Sequence, residues 1–100
     1  MRVWIEPSAL DEIAALPGHM RQRVRRAVRD LRELPRPTQS RILTIPDDLQ
    51  SEGLEARRLR LDTWRVVYII DAQWDIITVL AVRKRPPYAY DDLRDLLGRV

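Results

Sequence analysis

Apolar and polar positions change period several times along this chain, and each change marks an element. Val3 and Ile5 alternate with Arg2, Trp4 and Glu6 in the two-residue rhythm of a strand, and so short a run belongs at or near a sheet edge. Pro7 ends it. Ser8 is placed to cap a helix, with Asp11 three residues on in a capping-box-like arrangement and Glu12 adding negative charge near the helix start. Leu10, Ile13, Ala14 and Leu16 form the buried stripe of that helix, and Pro17-Gly18 turns the chain. From Met20 to Leu34 the residues Met20, Val24, Ala27, Val28, Leu31 and Leu34 recur at the three- and four-residue spacing of one helical face. Arg21, Arg23, Arg25, Arg26, Arg29 and Arg32 cover its other faces, relieved by Asp30 and Glu33, before Pro35 and Pro37 stop it.

The segment from Arg36 to Gly53 has no clean period apart from Ile42, Leu43, Ile45 and Leu49, so it is a long connection whose apolar patch either packs as a short strand or belongs to a binding loop. Glu55 to Leu61 alternates again, with Leu59 and Leu61 on one face and Ala56, Arg58 and Arg60 on the other. Two dense β-branched runs follow, Trp64 to Asp71 and Asp75 to Arg83, joined by Ala72-Gln73-Trp74, and their density places them in the middle of a sheet. Val66, Tyr68 and Ile70 share one face there; Arg65, Val67 and Ile69 share the opposite one. After Pro86-Pro87, the stretch Asp91 to Val100 carries Leu93, Leu96, Leu97 and Val100 at helical spacing. The order strand, helix, helix, strand, strand, strand, helix predicts an α+β layer: a mostly antiparallel sheet with an N-terminal helical hairpin and a short C-terminal helix.

Composition narrows the function classes. A chain of 100 residues that is 45% hydrophobic supports one core, hence a single domain over 1–100. It has no apolar run long enough for a membrane span and no secretory-type apolar stretch at Met1 to Leu10, so a cytoplasmic location without membrane contact is expected. With no cysteine and one histidine, His19, there is neither a thiolate nor a histidine-based zinc site, and no metal or other cofactor is expected. The net charge of +3 hides 18 basic residues against 15 acidic ones. Every one of the 18 is arginine apart from Lys84. A sequence pI near 9.9 carried by arginine, whose planar fork matches phosphate, points to nucleic acid or another anionic partner; the competing reading is a solvated arginine-rich surface.

The location of the arginines therefore matters. Arg65 emerges at a strand end on a defined face, and the next strand runs into Arg83-Lys84-Arg85, two prolines, Tyr88 and Tyr90. A basic cluster at a sheet margin with two phenolic hydroxyls beside it suits chemistry on an anion. Each member also has a plain structural reading: Arg65 paired with Asp71 or Asp75, Arg83 to Arg85 a solvated strand end, Tyr88 and Tyr90 lids on the core. Tyr68 reads as core, and Trp4, Trp64 and Trp74 as packing residues or interface anchors.

The order of elements, together with WRVVYIID, ITVLAVRKR and YAYDDLRDLL, resembles the RelE/ParE superfamily of bacterial toxins from type II toxin–antitoxin systems, over nearly the whole chain. The resemblance implies one of two activities. A RelE-like toxin, the leading expectation, is a ribosome-dependent, metal-independent endoribonuclease that cuts mRNA and inhibits translation; a ParE-like one inhibits DNA gyrase and cleaves nothing. Carried over by position, Arg65 and Arg85 would hold the scissile phosphate and Tyr90 would act on the 2′-hydroxyl or stack on a base, with Tyr88 its competitor. Arg58, Arg60 and Arg83 would meet the RNA. Arginine here replaces the lysine often found on that strand, and with a pKa above about 12 it is a poor proton carrier, which leaves Lys84 as the lysine available for proton transfer. Pro86-Pro87 alters the spacing between Arg85 and the tyrosine. The implied partners are a cognate antitoxin bearing acidic residues, the ribosome and mRNA (or gyrase), and operator DNA reached through the antitoxin.

Overall fold

A computed structural model describes residues 1–84 and Leu97. Its elements run β1 (Arg2–Ile5), α1 (Pro7–Ala14), α2 (Gly18–Asp30), β2 (Ser40–Leu43), a short 3-10 turn (Asp47–Leu49), β3 (Leu54–Leu61), β4 (Trp64–Asp71) and β5 (Ile76–Lys84). The strands form one five-stranded sheet in the order β1-β5-β4-β3-β2. Pairing is antiparallel throughout except between β1 and β5, which run parallel from Arg2 opposite Ile76 to Ile5 opposite Val79. This is the mostly antiparallel α+β layer that the periodicity predicts, with β1 at an edge and the two apolar runs in the centre.

Alternation along the strands sorts side chains onto two faces. On one, Leu59, Leu61, Val66, Tyr68, Ile70, Ile77 and Val79 pack against Ala9, Ile13 and Leu16 of the first helical segment and Met20, Val24, Val28 and Leu31 of the second. On the other, Ala56, Val67, Ile69, Leu80, Ala81 and Ile45 form a smaller cluster, lined by Leu43, Leu49, Leu54 and Leu97. Between β4 and β5 the register slips, with Val67 opposite Ala81 but Tyr68 opposite Val79. Leu80 is the extra residue of this bulge, which lets it and Ala81 enter the same cluster despite being adjacent.

Several local expectations are corrected. Pro7, not Ser8, opens α1: it takes the first helical position, where a missing N–H is harmless, and Glu6 precedes it with no side-chain cap. Glu12 is not serving the helix dipole. Its Oε1 accepts the Val82 amide at 3.1 Å and its Oε2 lies 3.4 Å from Arg83 Nε, so it covers the part of the β5 edge that β1 leaves unpaired. In α1, Ala9 and Ile13 are buried while Leu10 and Ala14 are exposed, and Leu16, past the end of the helix, is buried. The second helix ends at Asp30, and the change of backbone path at Leu31 leaves Leu34 outside the stripe.

The connection from Arg36 to Gly53 does contain a strand, β2, which adds a fifth member to the sheet and leaves Ile42 exposed on its outer edge. The expected closing helix, Asp91 to Val100, lies outside the described residues apart from Leu97, which is helical. No described helix is long and apolar enough to cross a membrane.

Candidate functional site

The sequence Leu-Glu-Ala-Arg-Arg-Leu-Arg-Leu of β3 places adjacent arginines on opposite faces, and their surroundings differ accordingly. Arg57 stands opposite Tyr68 on the helix side. It is neutralised by Glu55, 2.7 Å away, and its Nε donates to Ser40 Oγ at 3.0 Å. Arg36 holds the same carboxylate from the other side through Nε and Nη2. Burial by itself would raise the Glu55 pKa, but the hydrogen bonds and charges of Arg36 and Arg57 outweigh it and hold the carboxyl below its ordinary value.

Arg58 and Arg60 face away from the helices. Arg58 stands opposite Arg41 of β2 on one side and Val67 on the other, while Arg60 stands opposite Arg65, which in turn stands opposite Arg83. Cross-strand partners share a face, so five arginines are gathered on the side of the sheet away from the helices. Arg41, Arg58, Arg60 and Arg65 line a pocket of about 420 Å³ together with Thr38 and Gln39. Among the described residues no carboxylate lines it, and neither Arg41 nor Arg60 makes an ion pair. Like charges directly opposed across strands destabilise a sheet, and an anion seated among them would offset that cost.

Two local devices build the pocket. The β3–β4 connection is Asp62-Thr63, in which Asp62 takes φ 57°, a left-handed conformation that aspartate tolerates. Arg65 then folds back on this turn, its Nη1 donating to the carbonyls of Asp62 at 2.8 Å and Trp64 at 2.9 Å. At 3% exposure, its guanidinium is a fixed charge held in the pocket wall. Arg23 of α2 pins the Asp62 carboxylate from the other face.

The second device is the loop between α2 and β2. Ser40 Oγ donates to Pro37 O at 2.7 Å, Tyr68 OH donates to Pro35 O at 2.7 Å, and Arg60 N donates to Gln39 O at 3.2 Å. The Arg36–Glu55–Arg57 chain ties the same loop to β3, so Thr38 and Gln39 are held at the pocket.

The structure thus brings together Arg58, Arg60 and Arg65 of the residues singled out from the sequence. Arg83 shares their face, with its guanidinium drawn to Glu12. Lys84 is opposite Trp64, whose side chain packs against the helix-side core, so it stands on the other face and is exposed. Arg85, Tyr88 and Tyr90 lie outside the described residues. Tyr68 is core: burial pushes its phenol pKa up, and its hydroxyl is spent on Pro35. His19 is exposed in the first turn of α2. Arg41, Thr38 and Gln39 are lining residues that sequence reading missed; the signal for Arg41 was the apolar patch at Ile42 and Leu43, since pairing that patch as a strand against β3 sets Arg41 beside Arg58.

Chemically, four guanidinium groups around one hollow can hold a phosphate or carboxylate through paired N–H donors and stay charged at any ordinary pH. None of the described lining residues transfers protons near neutrality.

Known proteins resemble this chain in sequence profile and in fold. The profile of the ParE toxin of the type II toxin–antitoxin system, parDE, matches residues 3–86. Three solved structures are similar in fold. The archaeal RelE–RelB complex of Pyrococcus horikoshii is 22% identical, with a TM-score of 0.74 over 87% of this chain and 97% of that one. The toxin–antitoxin complex RelBE2 of Mycobacterium tuberculosis is 23% identical, with a TM-score of 0.64 over 84% and 96%. The intact RelBE complex of Escherichia coli is 20% identical, with a TM-score of 0.62 over 83% and 94%. No match was found among curated protein sequences.

Proposed function

We infer that this chain, which belongs to the ParE toxin family of type II toxin–antitoxin systems, acts as a toxin by binding mRNA on the ribosome through its arginine pocket and cleaving it there. The observation that carries this reading is the paired placement of Arg41 with Arg58 and of Arg60 with Arg65 on one face, around a pocket with no described carboxylate. Opposed like charges of this kind favour an anion between them, and a phosphodiester chain supplies a row of anions. Attack by the 2′-hydroxyl on the adjacent phosphorus develops negative charge on the phosphate oxygens, which fixed guanidiniums such as Arg65 stabilise without reorganising. They cannot carry the protons. We propose Tyr90 for that step, with Tyr88 as its competitor, and Arg85 as a further cation that holds the phosphate with Arg65.

Cleavage of message on programmed ribosomes tests this: the wild-type chain should shorten the mRNA, and Arg58→Ala with Arg60→Ala should abolish the effect. Intact message with the wild-type chain would overturn the nuclease reading.

A second reading has its own support. The family matched is that of ParE, and a pocket wall of arginines without a described proton carrier suits a binder as well as a catalyst. In that case the chain inhibits DNA gyrase, and a supercoiling assay should show inhibition while mRNA stays whole. Under both readings we propose that a cognate antitoxin neutralises the toxin, as the RelE chains of the similar structures are held in complexes with RelB. The antitoxin would also bring the toxin to operator DNA.

A further inference from the structure

Among the described residues only two other than glycine take a positive φ, Asp62 at 57° and Asp75 at 53°, and their carbonyls are used differently. Asp75 O accepts the Arg2 amide at 3.1 Å, a backbone tie between β1 and the turn before β5. Asp62 O accepts from a side chain. It takes Arg65 Nη1 at 2.8 Å, a donor it shares with Trp64 O at 2.9 Å, and Arg65 is 3% exposed in the wall of the arginine pocket. The direction of that carbonyl follows from the left-handed backbone of Asp62, since a right-handed residue at the same place would turn the peptide plane away. Glycine would adopt this φ without steric cost, but it could not supply the carboxylate that Arg23 of α2 holds. The turn is thereby tied to the helix layer on one side and to the pocket on the other.

We propose that Asp62 is a positioning residue for Arg65: its left-handed carbonyl aims the guanidinium into the pocket, and the tie to Arg23 keeps the turn in that pose while a phosphate is held. Arg60 stands directly across from Arg65 with the same charge, so a guanidinium that was not held would swing away from it. Held in advance, it loses no rotamer freedom when the anion arrives. The aiming rests on the geometry of the turn alone; its effect on cleavage rests on the nuclease reading above.

The test uses the full chain and four substitutions. Asp62→Asn and Asp62→Gly accept a φ of 57°, whereas the β-branched side chain of Asp62→Val does not; Arg23→Met removes the tie and keeps most of the stem. NMR of the ¹⁵N-labelled guanidinium groups reads the aim directly. In the wild-type chain the two Nη atoms of Arg65 should give separate, slowly exchanging signals, which Asp62→Asn and Asp62→Gly keep and Asp62→Val merges. On programmed ribosomes Asp62→Val should lower the maximal rate of message cleavage about tenfold with little change in the concentration giving half of it, because Arg65 acts on charge that grows during the reaction. Asp62→Asn, Asp62→Gly and Arg23→Met should each cost at most about fivefold, the most that an exposed ion pair is worth, and Arg23→Met should add nothing to Asp62→Asn. In an Arg65→Lys background Asp62→Val should cost the residual cutting nothing further, whereas a merely structural turn would cost the same in both backgrounds. Should Asp62→Val fail to fold by circular dichroism, Asp62→Ala takes its place, with a smaller loss in the same direction.

Separate Arg65 signals that persist in Asp62→Val, equal cleavage losses for Asp62→Val and Asp62→Asn, or a loss undiminished in the Arg65→Lys background would each overturn the positioning role. Merged signals in Asp62→Val together with uncut message in the wild type overturn the nuclease reading and leave the aiming of Arg65 by Asp62 in place.

Discussion

Removing Arg60 should make this protein more stable and less able to hold RNA. Arg60 is exposed and stands directly across from Arg65, whose buried guanidinium is locked to the turn carbonyls and cannot move away. Like charges so opposed are unfavourable by about 0.2–1 kcal/mol, with the lower half of that range favoured by screening at Arg60. Arg60→Gln keeps most of the stem and the backbone donation to Gln39 while deleting the charge. For a domain of this size the relief corresponds to a rise of roughly 1 to 6 °C in Tm.

On RNA the same change should act in the opposite direction. A single strand that neutralises the four lining arginines shows a slope of log K against log salt of about −2.8, and losing one contact brings it to about −2.1. Urea unfolding and RNA titration at several salt concentrations read the two effects on one sample. A variant that is clearly less stable than wild type, or one whose salt slope is unchanged, would refute the argument that the pocket is strained for the sake of an anion.

Other outcomes follow from the same structure. Glu55 has a folded-state pKa below its ordinary 4.5, so the stability it contributes is complete above that value and is lost as pH falls through the lowered one; Glu55→Gln should flatten the stability profile only below about pH 4.5. Tyr68→Phe removes the 2.7 Å bond to Pro35 O from a buried site and should lower unfolding free energy by about 1 kcal/mol in urea titration. Glu12→Ala strips the Val82 amide of its acceptor and should destabilise by about 1–3 kcal/mol, with Glu12→Gln recovering most of that loss. Hydrogen exchange should show the Val82 amide among the most accelerated in Glu12→Ala.

The fold was legible where one period ran long enough to be unambiguous. The bounds of β4 follow from WRVVYIID itself, and the two faces of β3 follow from its alternation. β2 was obscured because an edge strand buries little: of its Ser-Arg-Ile-Leu only Ser40 is buried, so it has no alternating apolar face to read. Glu12 was misread for a different reason. Its role depends on β5 outrunning its partner β1, a property of register and not of local sequence. At the site, alternation put Arg58 and Arg60 on one face of β3 and Arg65 on one face of β4, and the register joins the two faces, but Lys84 fell on the other because its register partner is Trp64. Arg57 and Arg58, identical in type and adjacent, show what composition alone cannot separate: one pairs with Glu55 on the helix side, the other lines the pocket on the opposite face.

The parallel pair at the sheet margin also orders events during synthesis. Among the described residues β1 pairs with β5 alone, so Arg2 waits for Ile76 while the antiparallel hairpins between them are free to close as they emerge. Until then the oily underside of α1 and α2, with Ile13, Met20, Val24 and Val28, has an incomplete platform beneath it. A nascent chain therefore keeps that surface open until β5 has been made, and this interval sets when chaperones, or a binding protein already waiting in the cell, can take hold of it.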